Sequence, residues 1–209
     1  MSVLFFDLDG TLIDSAVGIT RCVAYAFEKL GEPVPPAASL RGWIGPPLRD
    51  SFGPLLGDAA RTEQAVEFYR ERFDAIGWRE HAIYDGVGEA SEALHAAGHR
   101  LAVVTAKNQP HAERILAHLP FGHRFETVSG ASIDGRISHK PQLIAQALAR
   151  LQVPVDACWM IGDRHMDVDG ARHHGMRSVG VLWGFGGDAE LHAATHRVAH
   201  PRELVPLFG

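Results

Sequence analysis

Hydrophobic residues along this chain fall into short, nearly continuous runs, separated by longer stretches where apolar positions recur every three to four residues. The runs are Val3-Leu4-Phe5-Phe6, extending to residue 8, then Leu101-Ala102-Val103-Val104-Thr105, Glu126-Thr127-Val128-Ser129, Ala157-Cys158-Trp159-Met160-Ile161 and Ser178-Val179-Gly180-Val181. A run that is apolar on successive positions reads as a strand buried on both faces. The stretches 88–97, 111–118, 142–151 and 167–174 read as amphipathic helices. Strands alternating with helices predict an α/β fold: a Rossmann-like, doubly wound, mostly parallel sheet with helices on both faces.

Residues 15–81 interrupt this alternation. Val17, Val23, Ala24 and Phe27 recur at helical spacing within 16–30. The breaker-rich Gly31-Glu32-Pro33-Val34-Pro35-Pro36 follows, and then 39–44, 47–56 and 59–76 read as helices, with Gly45-Pro46-Pro47 as a stiff turn. No strand pattern appears. The expectation is a catalytic core of 1–14 and 82–209, with 15–81 inserted as a helical cap over the sheet's C-terminal edge. No internal repeat or low-complexity tract is visible.

Composition narrows the picture. A chain of 209 residues with 46% hydrophobic and 22% charged content can bury a substantial core. A net charge of −5 argues against a nucleic-acid or anionic-membrane surface. The 13 histidines show no metal-ligand spacing, and His165, His173 and His174 fall on an expected solvated helix. Two distant cysteines, Cys22 and Cys158, argue against a disulfide framework and for a reducing compartment. The chain opens into a strand-like run with no basic-then-apolar leader, so the expected location is cytoplasmic.

The chemistry is concentrated at predicted strand ends. Asp7-Leu8-Asp9-Gly10-Thr11-Leu12 follows the first apolar run. Carboxylates at i and i+2 share a face of a strand, and the C-terminal edge of an open α/β sheet is where ligands bind. Two such carboxylates need a cation or a shared proton. The same spacing occurs in calcium loops and solvated turns. Thr105, followed by backbone N–H groups, suits an anion, or is an ordinary strand end with a helix cap. Lys140 opens a helix against the helix dipole, so it either pairs with a carboxylate or phosphate or is a surface lysine before Pro141. Asp163 follows the strand 157–161 and Asp167 comes one turn later. Acidic groups delivered by two strand ends suit a hard divalent cation with oxygen ligands.

Taken in order, Asp7–Thr11, Thr105, Lys140 and Asp163–Asp167 resemble the haloacid dehalogenase-like superfamily of phosphotransferases over the whole chain. The tail from Gly170-Ala171 to Gly184-Phe185-Gly186 resembles the phosphoglycolate phosphatase branch. Gly45–Leu48 and Thr105-Ala106-Lys107 also resemble bacterial relatives labelled 5′-nucleotidases. The resemblance implies that Asp7 is the nucleophile, that Asp9 exchanges protons with leaving group and water, and that Lys140 and Thr105 assist. It implies Mg²⁺ held by Asp7, the Asp9 carbonyl and Asp163, with Asp167 behind them or acting through a water. Gly10, Thr11, Ala106 and Lys107 would contact the phosphoryl group or substrate, together with Leu8 N–H, and Arg49 and Trp43 would reach the leaving group. An acid at Asp9 points to phosphate esters, since a halide needs no proton. The implied partner is a small phosphorylated metabolite: phosphoglycolate-like first, a nucleotide or sugar phosphate as alternatives. A catalytically silent binding protein on the same fold is the rival of another class.

Overall fold

The strand that leads into Asp7 lies in the middle of the molecule's main sheet, hydrogen-bonded on both sides to strands far along the sequence. A computed structural model describes all residues, Met1–Gly209. The chain runs β1 (Val3–Phe6), β2 (Ile13–Asp14), α1 (Ala16–Leu30), α2 (Ala37–Leu40), α3 (Leu48–Leu56), α4 (Ala59–Ala75), β3 (Ala82–Ile83) and α5 (Val87–Ala96). It continues β4 (Arg100–Asn108), α6 (Gln109–Leu116), β5 (Phe125–Ala131), α7 (Lys140–Leu151), β6 (Cys158–Gly162), α8 (His165–His173), β7 (Arg177–Val181), β8 (His196–Val198) and α9 (Leu204–Phe208). The chain divides into two compact units, Met1–Ile13 with Ile83–Gly209, and Asp14–Ala82.

In the first unit six parallel strands run in the order β5-β4-β1-β6-β7-β8. The chain builds outward from β1 to β4 and β5, then returns to lay β6 on the other side. The C-terminal ends of β1, β4 and β6 therefore meet at the switch point, where open α/β sheets bind ligands. On one face, Val3, Phe5, Ala102, Val104, Cys158 and Met160 pack against Leu143, Ile144 and Ala147 of α7 and Ala171 of α8. The expected sheet is present, with differences at its margins. The first strand stops at Phe6, because the chain turns sharply after Asp7. Strand β8 and helix α9 were not apparent in the sequence; β8 is three residues with only Val198 buried, too short to show a period.

The second unit is helical. Helix α1 ends at Gly31, which takes the left-handed conformation (φ 69°) of a helix terminator. The Asp58 carboxylate caps α4 by accepting from Arg61 N at 2.8 Å. The stretch expected as a helix over 39–44 is instead α2 followed by a tight 3₁₀ turn, Arg41–Trp43, where Gly42 and the Gly45-Pro46 pair forbid a longer helix. Phe27, Trp43 and Phe52 meet edge-on or tilted, at centroid separations of 4.9 to 5.9 Å, and form its aromatic core. Both cysteines are buried and unbridged. No helix is long and apolar enough to cross a membrane.

Glu80 ties the ends of this unit together. Its carboxylate pairs with Arg21 of α1 at 2.7 Å and Arg72 of α4 at 2.7 Å, and its carbonyl accepts from Gly18 N. The hydrogen bond from Arg72 holds its carboxyl below the usual range, against a smaller opposing effect of burial. A depressed carboxylate contributes stability above its unfolded value, and loses it as pH falls through the folded one. Glu80→Gln should therefore lower stability by roughly 1 kcal/mol at neutral pH. The deficit against wild type should shrink as pH falls through the carboxylate range, as urea midpoints across a pH series will check. A deficit that does not change with pH would mean that packing, not charge, is what Glu80 supplies.

Candidate active site

Beyond Phe6 the backbone leaves the ladder with one last strand-like bond, Asp7 N to Ile161 O at 2.9 Å, and then curls. Leu8 O accepts from Leu12 N at 3.0 Å and Ile13 N at 3.1 Å, and Gly10 N donates to Ile13 O at 2.8 Å. Gly10 sits at φ +84°, and a Cβ there would run into the Asp163 carboxylate. Glycine is thus required both by the backbone angle and by the approach of β6's end to the turn. Thr11 Oγ1 donates to Asp163 Oδ1 at 3.3 Å, and Trp183 Nε1 donates to Thr11 O at 3.1 Å.

Lys140 holds the centre. Its side chain is 1% exposed, and its three N–H bonds have three acceptors: Val104 O at 2.8 Å, Asp7 Oδ1 at 2.9 Å and Asp167 Oδ1 at 2.6 Å. The surface-lysine reading is excluded. Burial pulls its pKa down, but the Asp167 and Asp7 charges outweigh burial and hold it above the ordinary value. Gly170 of α8 lets that helix close on α7, since a Cβ there would meet Lys140 Cβ at 2.6 Å.

The carboxylates outnumber this ammonium. Burial pushes Asp7 up to about 6, with Lys140 opposing and Asp167 reinforcing. Burial first, then the charges of Asp167 and Asp7, push Asp163 up to about 8 against the Phe185 N–H and Arg164. The ligand oxygens of Asp7, Asp163 and Asp167 lie within 4.8 Å of one another. Lys140 supplies one positive charge to this cluster, and three buried carboxylates with all-oxygen donors fit a small hard divalent cation such as Mg²⁺. The Asp167 carboxylate belongs to this cluster and at the same time pairs with Lys140.

Several expected contacts go elsewhere. Asp9's carboxylate turns from this cluster to Lys107, whose Nζ lies 3.0 Å from Oδ1 and 2.8 Å from Oδ2. The turn uses Gly10 N–H, and Leu8 N–H donates to Asp7 Oδ1 at 2.7 Å, so neither is left for an anion. The Thr11 hydroxyl is buried on Asp163 instead of facing substrate. Thr105 is buried within β4, where its Oγ1 accepts from Lys107 N at 3.3 Å, and Ala106 between them is half-buried. Arg49 makes a two-pronged pair with Glu63 at 2.6 and 2.7 Å, and Trp43 is aromatic core; both belong to the helical unit.

The sequence reading missed a loop. Phe185 N donates to Asp163 Oδ2 at 2.7 Å, and Cβ atoms on Gly184 or Gly186 would collide with Asp163 itself. Glu190 pins this loop by accepting from Arg164 Nε at 2.9 Å and contacting His165 Nδ1 at 3.1 Å. Two glycines flanking one residue were the available signal of a close backbone approach.

Comparison with known proteins now adds to this geometry. A family model described as haloacid dehalogenase-like hydrolase matches residues 4–181. A Pseudomonas aeruginosa protein named 5′-nucleotidase is 42% identical over 199 residues, covering 94% of this chain and 90% of that protein. The tyrosine-protein kinase PtkA of Mycobacterium tuberculosis is 42% identical over 185 residues, 88% of this chain, and the match spans 63% of PtkA. A phosphoglycolate phosphatase of Colwellia psychrerythraea is 29% identical over 192 residues, covering 88% and 85%. A crystal structure described as a predicted phosphatase from Clostridium acetobutylicum has a TM-score of 0.94 at 37% identity, covering 99% of this chain and 97% of that one. With the family model spanning most of the chain, and relatives of this identity along nearly its whole length, the chain belongs to the haloacid dehalogenase-like hydrolases.

Proposed function

We propose that this chain hydrolyses a small phosphorylated metabolite through an aspartyl-phosphate on Asp7, with Mg²⁺ as cofactor. Its class is phosphoric monoester hydrolase. The observation that carries the mechanism is the asymmetry of Asp7. Its Oδ1 accepts from Leu8 N and pairs with Lys140 Nζ, and these two contacts hold that oxygen in place. One oxygen is fixed and the other is left to attack.

In this reading Oδ2 bonds to phosphorus while the bond from phosphorus to the ester oxygen breaks. Asp9 takes up a proton from solvent as it turns from Lys107 and passes it to the departing oxygen. Asp9 then takes a proton from water, whose oxygen attacks phosphorus, and the carboxylate of Asp7 is regenerated as phosphate leaves. Lys140 balances charge on Asp7 throughout, and the Thr105 hydroxyl, in the neighbouring strand, donates to a phosphoryl oxygen. Asp7, Asp163 and Asp167 would hold Mg²⁺, which supplies positive charge for phosphoryl oxygens. The substrate read first is phosphoglycolate-like. A nucleoside 5′-monophosphate is the second reading, supported by the name of the 42%-identical Pseudomonas relative. The two buried free thiols suit a reducing, cytoplasmic setting.

Three measurements test this. Asp7→Asn should fold normally and lose turnover by roughly a thousandfold or more on every ester. Retained kcat, with deamidation excluded by mass spectrometry, would remove Asp7 from its role. Chelation should abolish activity and Mg²⁺ restore it, while Ca²⁺, with its larger and looser coordination, should inhibit. Independently of turnover, Mg²⁺ should raise the melting temperature of the metal-free wild type and do so far less in Asp163→Asn. Equal Mg²⁺ stabilisation of both proteins would place the metal elsewhere.

A further inference from the structure

A carboxylate outside the chemistry above grips the short link between two of the clustered acids. Oε2 of Glu190 accepts from Arg164 Nε at 2.9 Å and from His165 N at 3.3 Å, and lies 3.1 Å from His165 Nδ1. Arg164 and His165 directly follow Asp163, and Arg164 N donates to Asp167 Oδ2 at 3.1 Å. His165 also opens α8, so its N–H has no partner inside the helix, and a carboxylate there suits the helix dipole. Glu190 thus fixes the stretch of chain that separates Asp163 from Asp167.

Its grip reaches Asp163 by a second route. Residues 183–191 form a strap tacked down along its length. Trp183 Nε1 donates to Thr11 O, Phe185 N donates to Asp163 Oδ2 at 2.7 Å, and Leu191 is fully buried against Gly180 of β7. Glycines at 184 and 186 bring the strap's backbone into direct contact with Asp163. Between Phe185 and the anchor at Leu191, Glu190 is the side chain that ties the strap to α8.

Two carboxylates held from both sides cannot spread. That matters for a cation, because Mg²⁺ demands short, nearly octahedral ligation, whereas Ca²⁺ accepts longer distances and irregular shells. Ligand groups locked by their neighbours favour the small ion, and loosened ones relax around the large ion.

We propose that Glu190 is a positioning residue that sets the spacing of Asp163 and Asp167, and so makes the acidic cluster selective for a small divalent cation over a large one. The inference rests on the metal reading above and adds the device that fixes its size preference. Glu190 acts only through Arg164, His165 and the strap.

The test is binding, not turnover. Metal-free protein is titrated with Mg²⁺ alone and with Ca²⁺ alone, and the rise in melting temperature gives a dissociation constant for each. In Glu190→Ala the Mg²⁺ constant should rise by about tenfold or more, while the Ca²⁺ constant changes by no more than about threefold. Glu190→Gln keeps an oxygen for the Arg164 and His165 donors and should hold most of the wild-type preference. If Glu190→Ala does not fold, Glu190→Leu fills the same volume without an acceptor. Glu80→Gln, destabilised in the helical unit, should leave both constants at their wild-type values, so a general loss of stability cannot imitate the effect. A Mg²⁺ constant unchanged in Glu190→Ala, or Mg²⁺ and Ca²⁺ weakened by the same factor, overturns the role of Glu190 and leaves the metal reading standing. A wild type that Mg²⁺ does not stabilise at all removes both.

Discussion

An ammonium group buried where only three acceptors reach it is the constraint on which the rest of this structure depends. Lys140 takes a carbonyl from β4, a carboxylate from the end of β1 and a carboxylate from α8, so four elements are tied at one atom. Its side chain is almost wholly shut off from solvent, and each contact offsets the cost of burying the charge. The same point sets the spacing of α7 and α8, because α8 crosses Lys140 at a glycine. Placing a cation at a helix start, which the helix dipole disfavours, makes sense only with two carboxylates waiting for it.

That arrangement leaves an imbalance. Two of the three acidic groups share one positive charge, and Asp163 has only dipoles and the more distant Arg164 to oppose its burial. A site built this way is short of positive charge until something cationic or a proton enters it. The hold on Asp7 belongs to the same logic: Leu8 N and Lys140 fix the oxygen toward the protein. Positioning here is done largely by rigid neighbours, since Gly10, Gly184 and Gly186 let backbone press directly on Asp163.

Much of this was legible in the residues. The runs at 101–105 and 157–161 are β4 and β6, because strands covered on both faces cannot hide their apolar character. The helical spacing over 16–30 matches α1 closely, its end marked by Gly31. Asp7, Lys140, Asp163 and Asp167 could be singled out because each sits where an apolar run ends or a helix begins. What could not be read is which charge meets which. Sequence spacing gives Asp7 and Asp9 a common face, yet the turn at Gly10 sends one to Lys140 and the other to Lys107. The partners lie 98 residues away for Asp9 and farther still for Asp7, and no local pattern encodes such pairings. The N–H groups of Leu8 and Gly10 were misjudged for a similar reason: a tight turn consumes its own donors. Strand β8 and the Arg164–Glu190 clasp depend on a loop whose path only the folded chain reveals.

The position of β1 has a consequence for how the chain comes to be folded. It is made first, and it is the strand with the most demanding neighbours: Val3 pairs with Arg100 on one side and with Cys158 on the other. A ribosome releasing this chain exposes four consecutive large apolar residues long before either neighbour exists. The intervening helices meanwhile close contacts among themselves, α1 on α4 and α3 on α4. Sheet assembly must wait for distant segments, which makes it slow and leaves Val3–Phe6 open to unwanted pairing during synthesis. A strand that must lie at the centre to carry the chemistry is thus the one most in need of shelter, and its second neighbour, β6, follows it only after the whole of β4 and β5 has been made.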